Sequence, residues 1–303
     1  MKRDTLLKFI LTAGILVVGL LLMLWNGLTL STDEIIFPIQ PLCVIVPFAF
    51  FFRVKKNDTF GASALAIVAL LAFLPCLTIM IYAGTPLNAP LIDSWLMQSD
   101  ALMGISLPGI VQWAEQHPGI DSLLKIAYGS VFLQTISIIF LLGLLRDKIQ
   151  LNRFVLQFML SVSLISIIYF FLPAVGPFEA YGYEPSASQL RYLKDFQGFR
   201  NGSMTNISLV TFEGMVTFPS FHTTWAILLM ASMWHRKWLF LPAFLLNICV
   251  IAATLTTGWH YGTDVIAGGI VAGITIWASV RMQQWLEKDA IQFIEPAEFS
   301  PQV

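Results

Sequence analysis

Apolar residues fall into long blocks along this chain, separated by short polar stretches. The blocks show neither the strict alternation of half-buried strands nor the one-faced stripe of a surface helix. A helix crosses a bilayer with about 20 mostly apolar residues. Eight segments meet that requirement, at roughly 6–26, 36–53, 61–83, 122–145, 154–174, 219–235, 238–257 and 264–282. The pattern predicts an all-α polytopic membrane bundle of about eight spans. The second segment is the weakest, because Pro38, Pro41 and Pro47 interrupt it. The first follows the basic start MKRD, but it is long for a signal core and no small-residue cleavage site follows, so it reads as a retained span.

The polar stretches supply the orientation. With the amino terminus in the cytoplasm and strict alternation, 13 of the 17 Lys and Arg residues fall on the cytoplasmic side. Only Lys125, Arg191, Lys194 and Arg200 remain outside. That bias is what the positive-inside rule expects. Both termini are then cytoplasmic. The organisation expected is N-terminal spans over 1–83, a membrane core over 84–284 and a cytoplasmic tail over 285–303.

Three outer loops stand out. The loop 84–121 contains LIDSWLMQSDALMGI and reads as a helix lying at the membrane interface. Asp93 and Asp100 are seven apart on it and so share one helical face, which reads as a solvated face. The loop 175–218 is long and polar, a kind usually functional or disordered. It also holds a glycosylation sequon, Asn206-Ile207-Ser208. The third is the short turn GWHYGTD.

Composition agrees: 57% of the 303 residues are hydrophobic and 12% charged, about half the charged share of a soluble domain. A net charge of −1 with scattered basic residues gives no sign of nucleic acid as a partner. Cys43, Cys76 and Cys249 lie far apart inside apolar runs and read as small buried hydrophobes.

The chemistry-bearing residues collect on the outer side. His222 opens the sixth span in FPSFHTTWAI, and His260 and Asp264 lie in the turn before the eighth. Arg200, with Arg191 and Lys194, lies in the long loop. Each type suits phosphoryl transfer, where the protein mainly positions groups and stabilises charge. An imidazole can accept a phosphoryl group covalently if a carboxylate holds its other nitrogen. Asp264, four residues after His260, reaches that position if the turn runs into a helix. A second histidine can protonate the leaving oxygen, a role His222 fits. Arg200 offers a planar fork to phosphate, and Pro219-Ser220 opening a helix offers backbone N–H groups. Gly258 and Gly262 would let backbone approach a ligand closely. Against this stand plainer readings: an interfacial anchor for a lone histidine, a structural pair for HxxxD, and lipid head-group contacts for Arg191 and Lys194.

At these residues the chain resembles the type 2 phosphatidic acid phosphatase superfamily, and more closely its inositol-phosphorylceramide synthase-like branch. The matching segments are LPAVGP (172–177), FRNG (199–202), EGMVTFPSFHTTWAI (213–227) and GWHYGTDVIAG (258–268). The resemblance implies a helical core without a metal or other cofactor. It also implies His260 as nucleophile, Asp264 as its orienting carboxylate and His222 as acid/base. The phosphate-binding set is less close: the superfamily's Ser-Arg before the nucleophile is Ala253-Thr254 here, and Asn201 follows Arg200 where proline is usual. Arg200, Ser220, Arg191 and Lys194 are the phosphate-binding candidates.

The expectation is therefore a lipid phosphatase or phosphotransferase acting on a lipid phosphate or phosphodiester at the non-cytoplasmic face. Water, or a polyol or other alcohol such as inositol, would be the acceptor. The competing class is a transporter. Transporter sites usually place ionisable residues near the midplane, where this chain has only Gln134, Gln157 and Asn247.

Overall fold

A computed structural model describes residues 2–55, 57–209 and 214–292. Thirteen helices account for nearly all its regular structure, and the strands are two residues long. In chain order the long helices are α1 (Lys2–Trp25), α2 (Thr32–Val54), α3 (Asp58–Gly84), α8 (Lys148–Phe171), α12 (Lys237–Thr256) and α13 (Gly262–Gln292). Among the described residues these six are long and apolar enough to cross a membrane. A seventh crossing forms if α6 (Pro118–Gly129) and α7 (Val131–Leu144), bent by 48°, are one broken span. The expected cytoplasmic tail falls largely in 293–303, outside the described residues.

Two segments differ from their expected form. α2 is continuous through all three prolines, as membrane helices tolerate. The sixth segment makes only the 12-residue helix α11 (Phe221–Ser232). That is about 18 Å of rise, well short of a hydrocarbon core of about 30 Å. Its apolar run begins in non-helical backbone, with a cis bond between Phe218 and Pro219.

The loop 84–121 is likewise not one helix. After a 3₁₀ turn over Thr85–Leu87 it forms α4 (Asp93–Leu102) and α5 (Leu107–Gln116), and then enters α6. Ser106 caps α5 by accepting from Gly109 N–H at 3.4 Å. The long loop holds the single turn α9 (Pro177–Ala180), the helix α10 (Ala187–Arg200) and strand β2 (Asn206–Ile207). β2 pairs in parallel with β1 (Thr29–Leu30), tying the turn between α1 and α2 to this loop. A full capping box at Ser186 and Gln189 starts α10.

One continuous apolar core joins α1 and α3 to α7, α8, α10 and α11, through Phe73, Phe154, Phe158, Tyr192, Phe196 and Leu228 among others. The amide side chains within the bundle are paired across helices. Asn247 Nδ2 donates to Gln134 Oε1 at 2.8 Å, and Gln157 Nε2 donates to Ser279 Oγ at 3.0 Å. The end of the bundle remote from the histidines is latched by charge. Lys8 Nζ donates to Asn152 at 2.7 Å, Arg153 donates to Gln283 at 2.9 Å and Arg236 pairs with Asp147. Burial would raise the Asp147 carboxyl, but the bonds from Arg236 and the Gln150 N–H, with the Arg153 charge, hold it below its usual value.

α11 and α13 approach so closely that only glycine fits at 268, where a Cβ would meet the Ser220 carbonyl oxygen. Thr224 Oγ1 donates to Gly268 O at 2.8 Å across the same contact. Gly268→Ala should therefore lower the melting temperature of the detergent-solubilised protein, by about 1–3 kcal/mol of overpacking. Gly273→Ala is the control: nothing lies within 4 Å of a Cβ there, so its melting temperature should hold or rise. Equal melting of both variants would contradict the tight crossing.

Candidate active site

The turn between α12 and α13 begins with Gly258 at φ +71°, a left-handed backbone that strains other residues. It carries His260 inward, where the residue is 4% exposed. α13 then starts at Gly262, which places Asp264 one turn beyond the histidine. His260 Nδ1 lies 3.3 Å from Asp264 Oδ2, and the same oxygen accepts from Tyr261 N–H at 2.9 Å. Asp264 is fully buried.

His222 comes from the first turn of α11. Ser220 caps that helix by accepting from Thr223 N–H at 3.3 Å, and Ser220 N–H donates to Asp264 O at 3.1 Å. This backbone bond ties the start of α11 to α13 and brings the two imidazoles together, with ring centroids 6.3 Å apart. Behind His222, Tyr128 from the last turn of α6 places its hydroxyl 3.0 Å from Nδ1. The two rings stack at 4.0 Å.

The sequence-predicted phosphate ligands are distributed unevenly. Ser220 is fully buried, and its Oγ also accepts from Thr223 Oγ1 at 3.1 Å, so both its backbone N–H and its oxygen serve the protein's own framework. Arg200 ends α10 half-buried, donating from Nη2 to Ala89 O at 2.9 Å and lying 5.3 Å from the centre of the Phe196 ring. On the same helix the Tyr192 ring packs 5.6 Å from Trp259, next to His260. Arg191 and Lys194 stand on the exposed side of α10, away from the buried side formed by Tyr192, Phe196 and Phe199. Glu213 of the matched segment lies outside the described residues.

Asp93 and Asp100 correct the solvated-face reading. Asp100 is fully buried. It accepts from Gly262 N–H at 2.8 Å, from Thr263 N–H at 2.8 Å and from Thr263 Oγ1 at 2.7 Å. It therefore caps α13 from a helix 162 residues earlier in the chain. Asp93 accepts from Val175 and Gly176 N–H, each at 2.9 Å, and from the Tyr261 hydroxyl at 2.9 Å. Burial pushes that hydroxyl's pKa up, and the Asp93 charge adds to the shift, so it stays protonated and donates. Gly262 also serves packing rather than a ligand, since a Cβ there would strike Ile105 at 2.5 Å. Sequence reasoning missed the role of both carboxylates and missed Tyr128. The shared face of Asp93 and Asp100 was the available signal, and spacing does not distinguish water from backbone amides as the partner.

Among the described residues no group of three His, Cys, Asp or Glu side chains is arranged to hold a metal ion. The fold and site define a polytopic helical membrane protein with a buried His–Asp pair facing a second histidine. The model of the PAP2 superfamily matches residues 94–278, and the chain belongs to that superfamily, whose members are generally phosphatases or phosphotransferases. Comparison with curated proteins and with solved structures gave no match.

Asp100→Ala would strand two backbone amides at the start of α13. Each unsatisfied buried group costs about 1–3 kcal/mol. The variant should melt well below the parent in detergent and should lose activity in proportion to the folded fraction or more steeply. Parent-like melting would show that the cap is dispensable.

Proposed function

We propose that the protein is a lipid phosphatase or phosphotransferase that works through a phosphohistidine, and that it belongs to the inositol-phosphorylceramide synthase-like branch. The catalytic unit is the core over 84–284, opening on the non-cytoplasmic face. The observation that carries this reading is the ring pair, with His222 and His260 centroids 6.3 Å apart and a carboxylate behind His260 alone. That spacing lets one phosphoryl group touch both rings.

His260 Nε2 attacks phosphorus while Asp264 accepts from Nδ1–H and stabilises the cationic ring. The bond from phosphorus to the leaving oxygen breaks, and His222 gives that oxygen a proton. Water or an alcohol then attacks the phosphohistidine, yields its proton to His222 and releases His260. The first-turn amides of Phe221 and His222 have no intrahelical partner and face the developing charge with the positive end of α11. Arg200 supplies the cation. A lipid substrate suits this position, since its phosphate sits at head-group depth while its chains remain in the bilayer.

The test is a panel of labelled lipid phosphates and phosphodiesters in mixed micelles, with and without inositol or glycerol, scored for free phosphate and for new phosphodiester. His260→Ala should abolish both products, and His222→Ala should slow them by about 10²–10⁴-fold. Parent-rate turnover by His260→Ala would eliminate the nucleophile assignment. Activity should survive EDTA, and a strict metal requirement would contradict the mechanism.

A further inference from the structure

We propose that α4 is a membrane-contact helix, seated through its Trp95–Leu102 face in the lipid head-group region, and that it thereby fixes the depth of His260. The contact follows from the helix's placement. Its effect on turnover rests on the reading of the site as a lipid phosphatase or phosphotransferase.

α4 lies across the ends of two spans. At its start, Ile92 N–H donates to Pro173 O at 3.0 Å, and Asp93 accepts from the Val175 and Gly176 amides. Those residues follow directly on α8, which ends at Phe171. Near its other end, Asp100 accepts from the Gly262 and Thr263 amides that open α13. α8 and α13 run antiparallel, since Arg153 near the start of α8 bonds Gln283 late in α13. The end of α8 and the start of α13 therefore share one end of the bundle. A ten-residue helix fastened at both ends to that level runs along the membrane plane, over about 15 Å.

The two faces of α4 differ. Asp93 and Asp100 turn inward with Leu96, and they are the only charged side chains of the helix. Trp95 and Leu102 are also seven apart. Each follows an aspartate by two residues, about 200° around the helix. They occupy the opposite face, where they are 62% and 89% exposed. Ser94, Gln98 and Ala101 complete that face without a charge. Leu91 and Met103, just beyond the two ends, are exposed as well. The span that α4 caps carries an exposed stripe of its own, Ile266, Ile270 and Ile274 at one-turn spacing. An uncharged face bearing an exposed tryptophan, placed where such a span begins, matches the head-group layer, in which tryptophan is enriched.

The consequence is a fixed depth. The carboxylates that anchor α4 also grip the turn that carries His260. Asp93 accepts from the Tyr261 hydroxyl, and Asp100 caps the helix that begins two residues after His260. The seating of α4 then sets the level of the imidazole. A lipid phosphate at that level reaches His260 with its chains still in the bilayer. A monomeric, water-soluble phosphate needs no such register.

The contact is tested in phosphatidylcholine nanodiscs with the full-length chain carrying Cys43→Ala, Cys76→Ala, Cys249→Ala and Leu102→Cys, spin-labelled at 102. The nitroxide should collide more with oxygen than with a water-soluble nickel chelate. Collision dominated by nickel would show a water-facing surface. Shielding from both would show that a second copy or another protein covers it. Either result overturns the proposal. A second measurement keeps the native cysteines. The chain has nine tryptophans, and the emission lost in Trp95→Phe should be the part quenched by a shallow doxyl-labelled phosphatidylcholine rather than by aqueous iodide. The reverse would also overturn the contact. For the depth role, Trp95→Gln/Leu102→Gln should lower kcat/KM on the bilayer-embedded panel lipid that the parent turns over fastest by about tenfold or more, and on its monomeric dihexanoyl analogue by no more than about twofold. Equal loss on both substrates, or none on either, would overturn that role. Parent-rate turnover by His260→Ala would instead overturn the reading of the site, and the nitroxide would still decide the membrane contact.

Discussion

The start of α13 is pinned by two buried carboxylates, and the geometry of the site depends on that pinning. Asp264 acts from inside the helix, drawing Tyr261 N–H and the His260 ring onto one oxygen. Asp100 acts from outside, accepting from the Gly262 and Thr263 amides. Carboxylates at a helix N-terminus meet the positive end of the backbone dipole as well as its unpaired N–H groups. Two carboxylates can thus be buried close together with their oxygens bonded to backbone amides. With Asp100 occupying the amides that open α13, the proposed phosphate site is left with the amides that open α11.

From that point the rest of the site is set by short links. Ser220 N–H on Asp264 O fixes α11 against α13, and Gly268 allows the approach because a side chain there would meet Ser220. Asp93 extends the grip to the loop after α8, through the Val175 and Gly176 amides, and to the Tyr261 hydroxyl. The segment 84–121 is therefore part of the active-site framework. Its helix α4 presents one carboxylate to each of the loops that shape the histidine pair.

The spans were legible because block length is a strong signal: the bilayer dictates about 20 residues whatever the sequence inside. α11 was the exception. Its apolar run includes 219–220, where Ser220 caps the helix through Oγ and bonds Asp264 O through its N–H, so hydropathy overstated its helical length. His222, His260 and Asp264 were legible as chemistry because titratable side chains at the ends of apolar runs are few. Their placement together was an expectation that only the three-dimensional packing could test. The cationic candidates could not be ranked from the sequence. Nothing in the spacing of Arg191, Lys194 and Arg200 tells which side of α10 packs inward. That side is chosen by Tyr192, Phe196 and Phe199, and it leaves Arg200 half-buried at the helix end. Tyr128 carried no signal at all, since a tyrosine near the end of an apolar block reads as an ordinary interfacial aromatic.

The two histidines stand in unequal surroundings. Asp264 leaves Oδ1 without a hydrogen-bond partner among the described residues, so its bonding is concentrated on the oxygen facing His260 and Tyr261. In the proposed reaction, that concentration favours a ring that bears charge while covalently loaded. His222 has the Tyr128 ring stacked on it at 4.0 Å and Trp225 6.3 Å away. What separates the two imidazoles in this structure therefore lies one layer behind them, where α13 supplies a carboxylate to His260 and α6 stacks an aromatic ring on His222.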